Sequence, residues 1–197
     1  MARMLKYLLV TGLIVLLLFK TGSYFLRKNI SETYQQSIRY APFDVIIVPG
    51  IPYDSLNPNR MMKARMFWAK NLFDKGIARH IIFSGDAVHS PFVEGKCMKT
   101  IADSLGIPSN KTFSESKALH GVENIQLGMN MGKELGFKTM AIATDPFQFA
   151  YLRYYEKRDM ISYLPMPVDC MKTYDRPLPA IDTREMRVES FIPLKER

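Results

Sequence analysis

Residues 43–50 read Phe-Asp-Val-Ile-Ile-Val-Pro-Gly. Val45, Ile46, Ile47 and Val48 are all β-branched, which suits a strand, and Pro49-Gly50 ends it. Four apolar residues in succession leave no polar face, as expected of a strand covered on both sides in a parallel sheet. The same pattern returns at His80–Phe83, stopped by Ser84-Gly85-Asp86, and at Lys138–Ala143, stopped by Thr144-Asp145-Pro146. Lys111–Phe113 and Ile161–Leu164 are two shorter strand candidates.

Between these runs the apolar period changes to that of a helix. Asn59–Lys75 carries Met62, Met66, Ala69 and Phe73 and stops at Gly76. Ser90-Pro91 offers an N-cap and a first-position proline, predicting a helix to near Leu105-Gly106. Lys117–Leu135, closed by Gly136, predicts a third helix, and Asp145-Pro146 opens a fourth to about Arg158. In that last one Gln148 stands three residues after Asp145, where a capping box would place it. Residues 165–180 are irregular, and 182–192 fit a short final helix. Alternating strands and helices predict an α/β fold, a Rossmann-like doubly wound, mostly parallel sheet with helices on both faces. Ligands of such sheets bind outside the carboxyl ends of the strands. Those ends carry Pro49-Gly50, Ser84-Gly85-Asp86, Ser114-Glu115 and Thr144-Asp145-Pro146.

Upstream, the chain changes character. Tyr7–Phe19 is an apolar run closed by Lys20. Thirteen helical residues span about 20 Å, short of the ~30 Å hydrocarbon core, but continuing through Tyr24, Phe25 and Leu26 to Arg27 reaches about twenty residues. An uncleaved signal-anchor, a cleaved signal peptide with its basic start at Met1–Lys6, and a buried core helix are the three readings. The absence of a clean small-x-small site, Thr21-Gly22-Ser23 being the best candidate, favours the anchor. The expected organisation is an anchor over 1–30, a linker over 31–42 and one α/β domain over 43–197. The net charge of +8 sits largely in the first forty residues, where Arg3, Lys6, Lys20, Arg27, Lys28 and Arg39 face only Glu32. Basic residues flanking an apolar run suit anionic headgroups; the folded part, with about +3, carries no nucleic-acid motif. Basic residues on both sides of the run leave the orientation open. Cys97 and Cys170 form no CxxC or metal pattern and read as two small buried residues.

The order VPG, Arg60, IIFSG, Glu94, Glu115 with Glu123-Asn124, then ATDPFQ resembles the SanA-like and YdcF-like proteins, a widespread bacterial family, over roughly residues 43–160. That family usually shows a strand ending in a Gly-rich turn, an SGG-like turn and a helix-borne Glu. An E-x-x-S-x-N-T-x-E-N segment and a T-S-x-x-H-x-x-R segment follow. The matching positions are Gly50, Arg60, Ser84, Gly85, Glu94, Glu115, Glu123, Asn124 and Thr144. The resemblance implies a Rossmann-like domain, an N-terminal anchor in the inner membrane with the domain on the envelope side, and a part in envelope biogenesis or integrity. It implies no settled reaction. The departures are Ala118, His120 and Gly121 in the acidic segment, Gln148 in place of the His, and Tyr151 in place of the Arg, with Arg153 two residues on. Losing that His removes the obvious acid/base group, so either this branch binds without that chemistry or His120 or His89 substitutes.

The candidates then divide by role. Glu94, Glu115 and Glu123 are the candidate catalytic carboxylates. Gly50, Arg60, Ser84, Gly85, Asp86, Asn124, Thr144 and Gln148 are the candidate ligand-binding residues. Amides of Ser84-Gly85 and the Arg60 guanidinium would receive an anion, a sugar phosphate, nucleotide-like group or lipid-linked phosphate. Asp86, Glu94, Glu115 and Glu123 could alternatively converge on a divalent cation; no other cofactor is implied. Each has a plain structural alternative: Gly85 as a tight turn, Arg60 as part of a solvated basic face with Lys63 and Arg65, Glu94 and Glu123 as first-turn acids favoured by the helix dipole. The second functional reading is a non-catalytic membrane-bound scaffold, and the third a nucleotide-binding enzyme facing the cytoplasm.

Overall fold

The computed structural model describes residues 2–54, 59–155 and 161–196. Five strands, β1 (Val45–Pro49), β2 (Ile81–Ser84), β3 (Thr112–Glu115), β4 (Met140–Thr144) and β5 (Ser162–Pro165), form one sheet. Their order is β3-β2-β1-β4-β5, and every pairing is parallel. The expected α/β fold, doubly wound with helices on both faces, is what the chain adopts. β1 is buried throughout, as its unbroken apolar run requires.

The pleat divides the core in two. Ile46, Val48, Ile81 and Phe83 face α2 (Arg60–Asp74) and α3 (Glu94–Ser104), where Met62, Leu72, Met98 and Ile101 are fully buried. Val45, Ile47, Ile82 and Ile142 face α4 (Gly121–Glu134) and α5 (Pro146–Tyr155) through Ile125, Phe149 and Leu152. α4 lies very close to the sheet because Gly128 and Gly132 bring no side chain; a Cβ on either would strike Ile47 or Met140 at 2.7 Å and 2.6 Å. The chain therefore changes faces between β3 and β4. That leaves a switch point at the carboxyl ends of β1 and β4, where such sheets open a crevice.

Caps explain most helix ends. Asn59 accepts the Met62 amide at 2.9 Å to start α2, and Asp145 accepts the Phe147 and Gln148 amides at 2.9 Å and 3.0 Å to start α5. Gly76 and Gly136, with φ of 67° and 82°, take the left-handed position after α2 and α4. Two starts differ from expectation. Ser90-Pro91 does not open α3: Val93 donates to Met186, Val188 donates to Pro91, and Phe92 bridges Arg187, so this stretch is held extended by a distant part of the chain. α3 begins at Glu94 instead. α4 begins at Gly121 rather than Lys117, because Glu115 Oε1 accepts the Lys117 amide at 2.6 Å and fixes a loop there. Over 182–192 only the 3-10 turn Arg184–Met186 forms. The expected end of the α5 helix near Arg158 lies outside the described residues.

α1 (Ala2–Ser37) is a single 36-residue helix. Its apolar stretch is long enough to cross a membrane and is not buried in the fold, so the core-helix reading does not hold. Its second half does enter the fold. Ile30 is 1% exposed beside Phe149 and Tyr163, with Leu26 packed alongside. Tyr34 meets the Trp68 ring at a tilt of 52°, centroids 5.8 Å apart, on the other side of the sheet. The helix lies along β5 and covers an edge strand that would otherwise present an unpaired backbone. Residues 31–42, expected as a linker, are thus the end of α1 followed by a 3-10 turn, Ile38–Tyr40. The apolar pairing of Ile30 and Tyr34 with the sheet is the cause.

Candidate functional site

A cleft of about 130 Å³ opens at the switch point, lined by residues from the ends of β1, β2 and β3 and the starts of α3, α4 and α5. Of the candidates, Gly50, Glu94, Asn124 and Gln148 line it, together with His89 and His120. Glu94 is 5% exposed, with no hydrogen bond to its carboxyl group among the described residues. Burial pushes its acid up to about 8, opposed by nearby Arg65 and reinforced by the Asp86 charge. At neutral pH Glu94 therefore carries its proton and can donate a hydrogen bond or act as an acid. The late start of α3 produces this: with residues 90–93 extended, Glu94 becomes the first helical residue and is drawn down between Gly50 and Gly85. A Cβ on Gly85, at φ +151°, would lie 3.0 Å from Glu94 Oε2.

Ser84, Glu115 and Thr144 stand behind the lining residues. Ser84, fully buried, contacts Glu115 Oε2 at 2.5 Å and Asn124 Oδ1 at 3.2 Å. A hydroxyl has one proton, so it donates to Glu115; Asn124 is then satisfied with its amide turned to present NH₂ to Ser84. Thr144 Oγ1 donates to Gln148 Oε1 at 2.5 Å. Gln148 thus joins the cap of α5 through its backbone while its side chain turns to Thr144 and the cleft. Glu123 accepts the Leu119 amide at 2.8 Å and pairs with His120 Nε2 at 3.3 Å. A carboxylate-oriented imidazole therefore sits at the mouth.

Three expectations are corrected by the geometry. At the turn after β2 three amides are already engaged: Gly85 donates to the Glu115 carbonyl, Asp86 to that of Ala118, and Ala87 to Asp86 Oδ1. Packing of this turn against the β3 end consumes them. Arg60 is not at the cleft; it pairs with Asp175 at 3.5 Å and is half exposed. The carboxylates do not converge on a cation either, because Glu115 and Glu123 are turned to Ser84, Lys117, Leu119 and His120. Among the described residues no group of three His, Cys, Asp or Glu side chains could hold a metal ion.

The residue that reading by sequence missed is Arg65. It is 5% exposed, not on a solvated basic face. Its Nε and Nη2 meet Asp145 Oδ2 at 2.8 Å and 2.6 Å, and its Nη1 donates to the carbonyls of Pro49 and Gly50 at 2.8 Å and 2.7 Å. One guanidinium thereby ties α2 to the ends of both β1 and β4, fixing the switch point. Its place three residues after Met62 and four before Ala69, on the apolar stripe of α2, was the available signal. The positive end still present at the cleft is the N-terminus of α4, whose first-turn amides at Gly121, Val122 and Glu123 have no intrahelical acceptor.

Compared with models of known protein families and with curated proteins, the chain matches none.

Proposed function

We propose that the chain is a membrane-anchored protein whose edge cleft binds a small phosphate-bearing ligand, free or lipid-linked, and that it serves the cell envelope from the outer side of the inner membrane in the manner of the SanA-like and YdcF-like proteins it resembles. The observation that carries the ligand reading is Glu94, a buried, unpaired carboxyl group lining a crevice at the sheet's switch point. Perturbed acids in clefts mark functional sites. Being protonated, Glu94 does not repel an anion and can donate to its oxygen. Gly121 and the first turn of α4 supply backbone donors, Asn124 and Gln148 orient the ligand, and His120, held by Glu123, is the second acid/base group. The envelope side is carried by the family resemblance alone.

Thermal melting of the full-length chain in detergent tests the site. The panel is inorganic phosphate, sugar phosphates, nucleotides and a short-chain polyprenyl phosphate. A ligand at a hundredfold excess over Kd adds about 2.7 kcal/mol of stability, and the Glu94→Met variant, which keeps the volume but removes the donor, should lose the shift. No shift with any phosphate compound removes the ligand reading. A fused reporter active only outside the cytoplasm tests the side.

A further inference from the structure

α1 leaves the domain on a particular edge. Its end and the 3-10 turn that follows, represented by Thr33, Ser37 and Tyr40, lie with Phe43, Lys138, Thr139 and Ser162, at the starts of the strands. Its middle lies elsewhere: Arg27 pairs with Asp169, just past the end of β5, at 2.6 Å. Phe25 and Leu26 share a groove with Phe149 and Ala150 in the first turns of α5. α1 therefore runs antiparallel to the strands and emerges at their carboxyl ends, the edge that holds the cleft.

The length of the apolar stretch decides how far away the bilayer is. Crossing ~30 Å of hydrocarbon takes about twenty helical residues, which from Tyr7 ends at Leu26. Leu26 already packs on the domain. No spacer remains, so the headgroup layer meets the cleft-bearing edge, with Tyr24 and Phe25 at the interface and Arg27 and Lys28 at phosphate level. On that edge α5 presents Phe147, 57% exposed, and Tyr151, 46% exposed, one turn apart. Their neighbour Gln148 lines the cleft, and a Cβ on Gly121 would be 3.5 Å from the Tyr151 ring. The aromatic pair thus stands between the anchor and the cleft mouth. β5 is two strands from β1, about 10 Å.

We propose that this face of α5 docks on the bilayer surface, with Phe147 and Tyr151 inserted at the interface, so that the cleft opens on the membrane and takes the polar head of an amphiphile from the headgroup layer. This rests on the anchored reading above and goes beyond it in naming the docking surface and the ligand's route. Aromatic rings with an apolar body favour that depth.

The test uses the full-length chain in phosphatidylglycerol-containing vesicles, with brominated lipid as a short-range quencher of tryptophan. Phe147→Trp places a reporter on the docking face and Lys138→Trp one at the opposite edge, about 20 Å away along β4. Trp68, buried, gives a constant background read from the parent chain. The expected result is a blue-shifted, strongly quenched signal from position 147 and none from 138. Protein that floats with the vesicles yet shows no quenching at 147, or equal quenching at both positions, overturns the docking while leaving the anchor intact. Protein that does not float with the vesicles overturns the anchor and the docking together.

Discussion

Glu94 and Gly50 occupy adjoining space that neither can enlarge. A Cβ at residue 50 would fall on Glu94 Oε2 and lie 2.6 Å from the Ser84 carbonyl oxygen. The carboxyl group of Glu94 is seated on bare backbone from two strand ends, which is why an acid can be buried there at the lip of a cleft rather than swing into solvent.

Gly50→Ala should therefore be costly in spite of its small size. Overpacking of this kind costs about 1–3 kcal/mol, and the displaced Glu94 should take ligand binding with it. Urea unfolding and ligand-induced melting shifts check the two effects. An alanine variant that binds and unfolds like the parent would show that Glu94 has room the structure does not allow.

Glu94 also sets a pH dependence. Its acid rises from 4.5 to about 8 on folding. Between those values the unfolded chain is ionised while the native chain holds the proton, so the native state binds more protons and stability falls as pH rises. The loss is complete above about pH 8 and absent below about pH 4. Glu94→Gln removes this effect. The variant should match the parent near pH 4 and exceed it at alkaline pH, by at most about 5 kcal/mol from the size of the shift. Melting curves that stay parallel across the range would contradict a buried Glu94.

Breaking the Arg65–Asp145 pair should be the most damaging polar change. Asp145→Asn or Arg65→Met leaves a buried charge unpaired, at about 3–5 kcal/mol. Arg65→Met in addition strips the Pro49 and Gly50 carbonyls of their donor. The double variant should lose much less than the sum of the two, since the second change removes the charge stranded by the first. Denaturant midpoints of the three variants measure the coupling, and strictly additive losses would deny it.

Ile30→Ala should destabilise the domain by about 2–5 kcal/mol, the usual range for emptying a buried aliphatic site. A chain begun at Thr33 should do worse, since it lacks both Leu26 and Ile30 and bares the β5 edge. One begun at Thr21 should melt like the full-length domain. Equal melting of the two shortened chains would mean that α1 is a tether only.

Features that depend on neighbours along the chain were legible in the order of residues alone. The β-branched runs at 45–48 and 81–83, the glycines after α2 and α4, and the cap at Asp145 act within a few residues, and each strand or helix they mark is present in the fold. The apolar run before Lys20 is legible for the same reason. Of the candidate residues, Gly50, Glu94, Asn124 and Gln148 come together at the crevice because strand ends and helix starts in this topology share one edge. The rest was settled by contacts between residues far apart in the chain. Whether Arg65 is solvated or buried depends on Asp145, eighty residues away; whether α3 starts at Ser90 or Glu94 depends on Met186 and Arg187. Whether residues 31–37 form a linker or a helix depends on the apolar seat that the edge of the sheet offers Ile30 and Tyr34. Burial and hydrogen-bond competition are properties of the assembled core, and no local pattern encodes which distant partner will claim a side chain.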